Sequence, residues 1–304
     1  MNKSLGCLFV FMIVLCSFAK AQDSTLMQML TDSMSANEKP PHVTATFKGI
    51  HVINMHTVEA PAKGALNFII MHRFGKLNDG AYNFFGLDNA SIRLGLDYGI
   101  SDRLSVGIGR SSFSKTFDAY AKYKLLWQTD GSNIMPVTAS ILGGLTNYTV
   151  KFSDKSYLNA KYRTAYFTQL LLARKFNSNI SLQVVPTWLH YNLVPAAEDK
   201  NDVFAVGVGG RIKITKRMSI NAEYNFVPDN QLVSTDRHNS LSLGLDIETG
   251  GHVFQLIFTN SQAMTEPQYI GQTTGRWGKG DIYFGFNVSR IFNISKHAKA
   301  GAVY

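Results

Sequence analysis

Apolar and polar residues alternate with period two along most of the chain. Over 91–100, Ile92, Leu94, Leu96, Tyr98 and Ile100 share one face, and Ser91, Arg93, Gly95, Asp97 and Gly99 the other. Over 218–226, Met218, Ile220, Ala222, Tyr224 and Phe226 oppose Ser219, Asn221, Glu223 and Asn225. Leu241, Leu243, Leu245 and Ile247 oppose Ser242, Gly244, Asp246 and Glu248; Ile282, Phe284, Phe286 and Val288 oppose Tyr283, Gly285, Asn287 and Ser289. The pattern predicts strands near 64–75, 89–100, 103–111, 116–127, 135–146, 163–175, 179–190, 202–213, 217–227, 239–249, 252–261 and 281–292. Two are less clean: Leu170, Leu171 and Leu172 are consecutive, and Lys122 and Lys124 interrupt a tyrosine-rich strand. The count is therefore about twelve, bounded by about ten and fourteen.

Alternation alone also suits a soluble sandwich or a lipocalin-like barrel. The links discriminate, because their lengths alternate. Those at 101–102, 128–134, 176–178, 214–216 and 250–251 are short, and those at 76–88, 147–162, 191–201, 228–238 and 262–280 are longer; 112–115 is the weakest case. Short turns on one rim, long loops on the other and about ten residues per strand are the pattern of an outer-membrane barrel. With one face in lipid, no water satisfies the backbone there, so the sheet must close on itself. The expected fold is thus all-β, a closed antiparallel transmembrane barrel over 63–292 with short periplasmic turns and long extracellular loops. Tyr98, Trp127, Phe254 and Phe292 fall near short turns, and Phe74, Trp188 and Phe226 near long loops, as two aromatic girdles require.

The ends read differently. Residues 1–21 form an export signal: a positive start at Lys3, an apolar stretch from Leu5 to Phe18, and the small-x-small site Ala19-Lys20-Ala21. Leu15 before Cys16 does not fit a lipoprotein signal. Residues 22–62 form a periplasmic leader, with a short helix from Leu26, Leu30 and Met34 ended by Pro40-Pro41, then strand-like sequence over 44–59. Such a leader can cover the periplasmic mouth, enter the lumen as a plug, or move freely. Residues 293–304 form a basic periplasmic tail, so Phe292 carries the terminal aromatic that assembly machinery reads.

Composition narrows the function. The 304 residues include 45% apolar, 17% charged, 20 Phe, 13 Tyr and 3 Trp, which excludes a disordered chain. Both cysteines, Cys7 and Cys16, lie in the export signal, so disulfides, thiolate metal sites and cysteine nucleophiles are absent from the mature chain. Losing Lys3 and Lys20 takes the formal charge from +9 to +7. That excess suits outer-membrane phospholipid, lipopolysaccharide or an anionic solute; a solvated basic surface without a partner fits equally. Nucleic acid is not an expected partner, and no cofactor is.

Several segments carry a resemblance. Phe84-Phe85-Gly86-Leu87-Asp88, the run 97–104 (Asp-Tyr-Gly-Ile-Ser-Asp-Arg-Leu), the run 106–112 and 247–256 leading into Phe258-Thr259-Asn260-Ser261-Gln262 are among them, as is 280–287. Together they resemble a β-barrel family of unknown function from Bacteroidetes outer membranes, over roughly 44–292. The resemblance implies the barrel and the outer membrane, and carries no activity or ligand.

Candidate chemistry is sparse. Gly107-x-Gly109 and Gly207-x-Gly209-Gly210 open no helix, so they read as relief of crowding in curved strands. His51 and His56 are the closest histidine pair, with no carboxylate at metal-ligand spacing. A lipid hydrolase needs a serine near an outer-rim histidine; His190 is placed for that, but 163–175 and 202–213 contain no serine. No enzyme activity is expected. Arg93, Asp97, Asn221, Glu223, Asp246, Gln255 and Asn287 point inward by alternation. They line an aqueous pore that filters small solutes by sign, or bond to one another in a filled lumen. Under the pore reading, Arg93→Ala and Glu223→Ala change ion selectivity. The loop 262–280 offers Glu266, Tyr269, Arg276 and Trp277, either as a constriction inside the barrel or as an outer binding surface. A passive pore is the leading expectation, a non-conducting structural or interaction barrel with a filled lumen the alternative, and an outer-membrane lipid hydrolase a distant third.

Overall fold

The computed structural model describes residues 42–130 and 135–295. Twelve antiparallel strands pair in sequence order, and the last returns to the first to close a barrel. On the first half are β1 (Ala65–Lys76), β2 (Ala90–Gly99), β3 (Leu104–Ser111), β4 (Thr116–Leu126), β5 (Thr138–Tyr148) and β6 (Thr164–Lys175). The second half holds β7 (Ile180–Tyr191), β8 (Asp202–Lys213), β9 (Met218–Phe226), β10 (Ser240–Thr249), β11 (His252–Thr259) and β12 (Tyr283–Asn293). The strands expected from alternation are all present; the widest difference in bounds is at the start of β5, 138 against 135. The export signal over 1–21, the helix around Leu26–Met34 and the tail beyond 295 lie outside the described residues.

The barrel closes because both faces of each strand have a place to go. Outward residues form an exposed apolar belt, including Ile92, Leu94 and Leu96 on β2, Leu182 and Val184 on β7, and Val206 and Val208 on β8. A continuous belt of this kind is stable only in hydrocarbon. At the short-turn rim, guanidinium groups stack on the aromatic girdle: Arg103 over Trp127 at 4.1 Å and Arg290 over Phe292 at 5.0 Å. The two-residue turn between β10 and β11 depends on Gly250 and Gly251, whose φ values of 40° and 125° suit residues without Cβ.

The inward faces are not uniform. On β5 to β8 they carry Leu142, Phe167, Leu171, Val185, Leu189 and Val203, all buried. From β9 round to β4 they are mostly polar, with Glu223, Asp246, Gln255, Asn287, Arg73, Arg93, Asp97 and Lys122 buried. Leu171 faces inward while Leu170 is exposed, which resolves the leucine run into ordinary alternation on a strand apolar on both faces. A barrel with an apolar half-wall inside needs something apolar to cover it.

Two segments do so. Residues 42–64, which take in the described part of the leader expected over 22–62 to cap, plug or move freely and the first two residues of the expected barrel, run up inside the barrel from the short-turn rim, reverse and descend to β1. Val52 N–H donates to Met55 O and Thr57 N–H to Ile50 O, both at 2.8 Å, and His51 bridges His56, so the segment is a hairpin. Phe47, Ile50, Val52, Ile53, Met55 and Val58 are no more than 2% exposed. Burial on this scale contributes about 1.5–3 kcal/mol per large side chain. From the long-loop rim, 260–282 folds inward and carries the short helix α1 (Glu266–Gly271), every residue of which is buried. Pro267 suits its first turn, and Thr265 bonds Gln268 at 2.7 Å across it.

Candidate functional site

The chemistry of the lumen lies where the hairpin meets the wall. At its tip, the backbone N–H groups of Ile53, Asn54 and Met55 converge on the Glu223 carboxylate of β9 at 2.9–3.1 Å. Three consecutive N–H groups around one anion form the concavity that polypeptide backbones use to hold anions. The tip carbonyls are satisfied as well. Gln255 Nε2 donates to Val52 O and Asn287 Nδ2 to Ile53 O, both at 2.9 Å. Arg73 Nη2 donates to the Asn54 side-chain oxygen at 2.8 Å while its Nη1 holds Asn287 at 2.9 Å.

The descending limb is held on the opposite wall. Gln183 on β7 accepts from Val58 N–H at 3.0 Å and donates to His56 O at 2.7 Å. Lys122 on β4 donates to the carbonyls of Thr57, at 3.0 Å, and Glu59. Glu59 accepts from Thr46 N–H at 2.8 Å, stapling the two limbs together. At the short-turn rim, Lys175 Nζ donates to Thr44 O at 2.9 Å and Lys48 pairs with Glu248. A buried backbone without such partners would cost about 1–3 kcal/mol per orphaned group; here the wall supplies them.

Hairpin and loop meet in the middle. His56 Nε2 lies 3.3 Å from Glu266 Oε1, and the His51 and His56 rings stack with centroids 4.2 Å apart. Burial, followed by the charge of Arg93, holds the His51 imidazole well below the usual range; burial and then His51 do the same to His56. Burial, reinforced by Asp118, pushes Glu266 up to about 8. Neutral partners therefore face each other across this junction at pH 7. The carboxylate that faces His56 comes not from nearby Glu59, which is bonded to Thr46 N–H, but from a loop more than 200 residues away. Among the described residues no cluster has the makings of a metal site.

All seven inward candidates are buried on the lumen side, and each meets protein rather than a water column. Glu223, Gln255 and Asn287 hold the hairpin tip. Asp246 accepts from Gln255 at 2.8 Å and from Ser219, with Asn221 beside it. Asp97 accepts from Asn67 at 2.9 Å and from the Tyr120 hydroxyl. Arg93 forms a two-point pair with Asp118, at 2.9 Å and 2.5 Å. Of the loop candidates, Glu266 and Tyr269 sit on α1 inside the barrel. Arg276 instead braces the outer loops through Asp236 and His238, and Trp277 Nε1 donates to Leu241 O at 3.0 Å. Arg73 and Gln183 are not among the residues that the sequence singles out, and Lys122 figures there only as a break in a tyrosine-rich strand; the signal in all three is a long polar side chain at an inward register position.

Space for the hairpin is prepared by glycines on the wall. A Cβ at Gly207 would sit 2.6 Å from Met55 Cε, and one at Gly209 3.2 Å from Val52 Cγ2. The sequence assigns these glycines to crowding in curved strands; the atoms that a Cβ would crowd at Gly207 and Gly209 include those of the hairpin.

Among solved structures, the chain is similar to the COG4313 outer membrane channel from Pseudomonas putida F1, at 13% identity and a TM-score of 0.46 over 77% of this chain and 97% of that one. It is similar to the NanC porin at 9% identity and 0.45, over 74% and 98% of the two chains. It is also similar to an active-site mutant of outer membrane phospholipase A from Escherichia coli, at 12% and 0.43, over 76% and 91%. No curated protein matches the chain. One family model, the membrane bound beta barrel domain DUF5777, matches residues 47–292 and so takes in most of the luminal hairpin together with all twelve strands. The chain belongs to this family of membrane-bound β-barrel domains.

Proposed function

We propose that this is an outer-membrane barrel of Bacteroidetes type, closed at rest, through which small solutes pass only when the 42–64 hairpin leaves the lumen. The observation that carries the reading is the seat at Glu223, where one wall carboxylate holds three consecutive backbone N–H groups of the hairpin. Such contacts are directional and exchangeable with water, so the hairpin can be withdrawn without unfolding the strands that hold it. A permanently filled, non-conducting barrel is the second reading, favoured by α1, which enters from the other rim with all six residues buried. Neither reading includes catalysis. His190 Nδ1 meets Asp202 at 2.8 Å, the contact that orients a catalytic histidine, but neither flanking strand offers the serine it would activate.

Planar-bilayer recording separates these readings. The chain from Gln22 onward is expected to be silent, deletion of 43–62 to give discrete current steps, and further removal of 264–274 to give larger ones. Steady conduction by the intact chain refutes the plug. Silence of both deletions in a folded barrel leaves the structural reading.

A further inference from the structure

Above α1, at the long-loop rim, the barrel opens into a cavity of about 720 Å³. Its floor is Pro267, Gln268 and Gly271 of the inserted loop, and its walls come from the ends of β4 to β7 and the loops 149–163 and 227–239. The hairpin contributes nothing to it. The volume lies within the range of sites that take a ligand of one to three rings.

The lining is chemically one-sided. Tyr148, Phe152, Tyr157 and Tyr191 are among the lining residues, and Lys155, Arg163 and Arg237 bring three cations, whereas among the described residues no Asp or Glu lines the space. Two of these cations are held without a carboxylate. Lys155 Nζ rests 5.1 Å from the Phe152 ring centroid and the Arg163 guanidinium 5.6 Å from that of Tyr148, and among the described residues neither meets a carboxylate. Arg163 is positioned by the carbonyls of Leu158, at 2.8 Å, and Val150. Arg237 has a side chain only 4% exposed; its Nη2 donates to Val227 O at 2.8 Å and Pro228 O at 3.1 Å, while its Nε–H has no partner among the described residues. Its one acid, Asp229, is 3.6 Å away and fully in solvent, where its charge is screened. Asp199, in the neighbouring loop, is taken up by the hydroxyl and backbone N–H of Ser234. A walled space lined by three cations, only one of them paired with an acid among the described residues, holds a positive potential that selects anions. Flat aromatic faces beside the cations favour a ligand that pairs a carboxylate with a ring.

We propose that this vestibule is a binding site for a ring-bearing organic carboxylate, at the outer face of the barrel and independent of whether the lumen opens. The source of the carboxylate, an acidic sugar or an aromatic acid, is open to experiment because both present the same chemistry.

The probe is 4-methylumbelliferyl β-D-glucuronide, which carries both ring types and one carboxylate, with the neutral 4-methylumbelliferyl β-D-glucoside as its match. Fluorescence polarisation is followed against the intact folded chain in detergent. Expected is at least about tenfold tighter binding of the glucuronide, the weight of one charge-assisted contact, with affinity falling as salt rises. Lys155→Gln, on an exposed loop, and Arg237→Gln are each expected to reduce the preference several-fold. Heat-modifiable migration checks that each variant is folded. Competition by glucuronate or by phenylacetate then identifies which half of the probe is read. Equal binding of glucuronide and glucoside overturns the proposal, as does an undiminished preference in the folded Lys155→Gln/Arg237→Gln double variant.

Discussion

Glu223→Ala tests the hairpin seat most directly. The substitution removes one carboxylate and leaves the N–H groups of Ile53, Asn54 and Met55 without their acceptor in a buried site. Each orphaned donor costs about 1–3 kcal/mol, and a bond to a charged acceptor contributes toward the upper end. Three donors set the crude ceiling near 9 kcal/mol, but water enters the space that the side chain vacates and satisfies part of them. A net loss of about 3–4 kcal/mol in hairpin docking is the expectation. At 1.4 kcal/mol per factor of ten, that is a few hundredfold in the docked-to-undocked ratio. The strand ladders do not involve this side chain, so the barrel itself stays closed. Hydrogen exchange reads this difference: protection of amides in 50–58 should fall by two to three orders of magnitude, with β3 and β7 unchanged. The same variant should give intermittent current steps in a planar bilayer. Native-like protection of 50–58 in a folded variant refutes the reasoning, because the hairpin would then be held by its apolar side chains alone.

Three other outcomes follow from the lumen. Arg93→Ala strands the buried Asp118 carboxylate and should cost about 3–5 kcal/mol, read as a lowered midpoint of heat-modifiable migration; the Arg93→Ala/Asp118→Ala pair should cost less than the two singles together, and additive losses count against the pair. Docking of α1 should depend on pH with a fixed sign. Glu266, raised to about 8, keeps its proton when docked and loses it when released. Docking is therefore favoured at low pH and weakens from about 4.5 up to about 8, at up to about 1.4 kcal/mol per pH unit. His51 and His56, lowered by burial, act oppositely, so docking weakens as pH falls below about 6.5. Protection of 266–271, corrected for intrinsic exchange, should peak near pH 6.5, and Glu266→Gln should abolish the alkaline loss; a flat profile in the unsubstituted chain would contradict the buried junction. Val52→Cys/Gly209→Cys places a Cβ where it lies 3.2 Å and 3.7 Å from the present Val52 methyl carbons, within disulfide reach. Oxidation should silence the Glu223→Ala channel and reductant should restore it; current that persists under oxidation argues for a path past the docked hairpin.

The strands, their order and the inward direction of the seven strand candidates were legible in the sequence, because a lipid-facing sheet forces period-two alternation and closure on the chain locally; the directions of the loop candidates Glu266, Tyr269, Arg276 and Trp277 were not. Arg93, Glu223 and Asn287 could be placed on the inner face from their neighbours alone. What they face there was not legible. Alternation states that a side chain points inward and is silent on whether water, a hairpin or another strand awaits it. One local sign did exist: β6 and β8 are apolar on both faces, at Leu170-Leu171-Leu172 and at Val203, Ala205 and Val206, and a water-filled lumen gives an inner face no reason to be apolar. Only the closed structure brings Glu223 to residues 53–55, 168 and more positions away, or Glu266 to His56. Those meetings depend on barrel closure and on two insertions from opposite rims, which are long-range events with no periodic trace in the chain. Sequence determined the wall; tertiary structure decided that the wall is occupied.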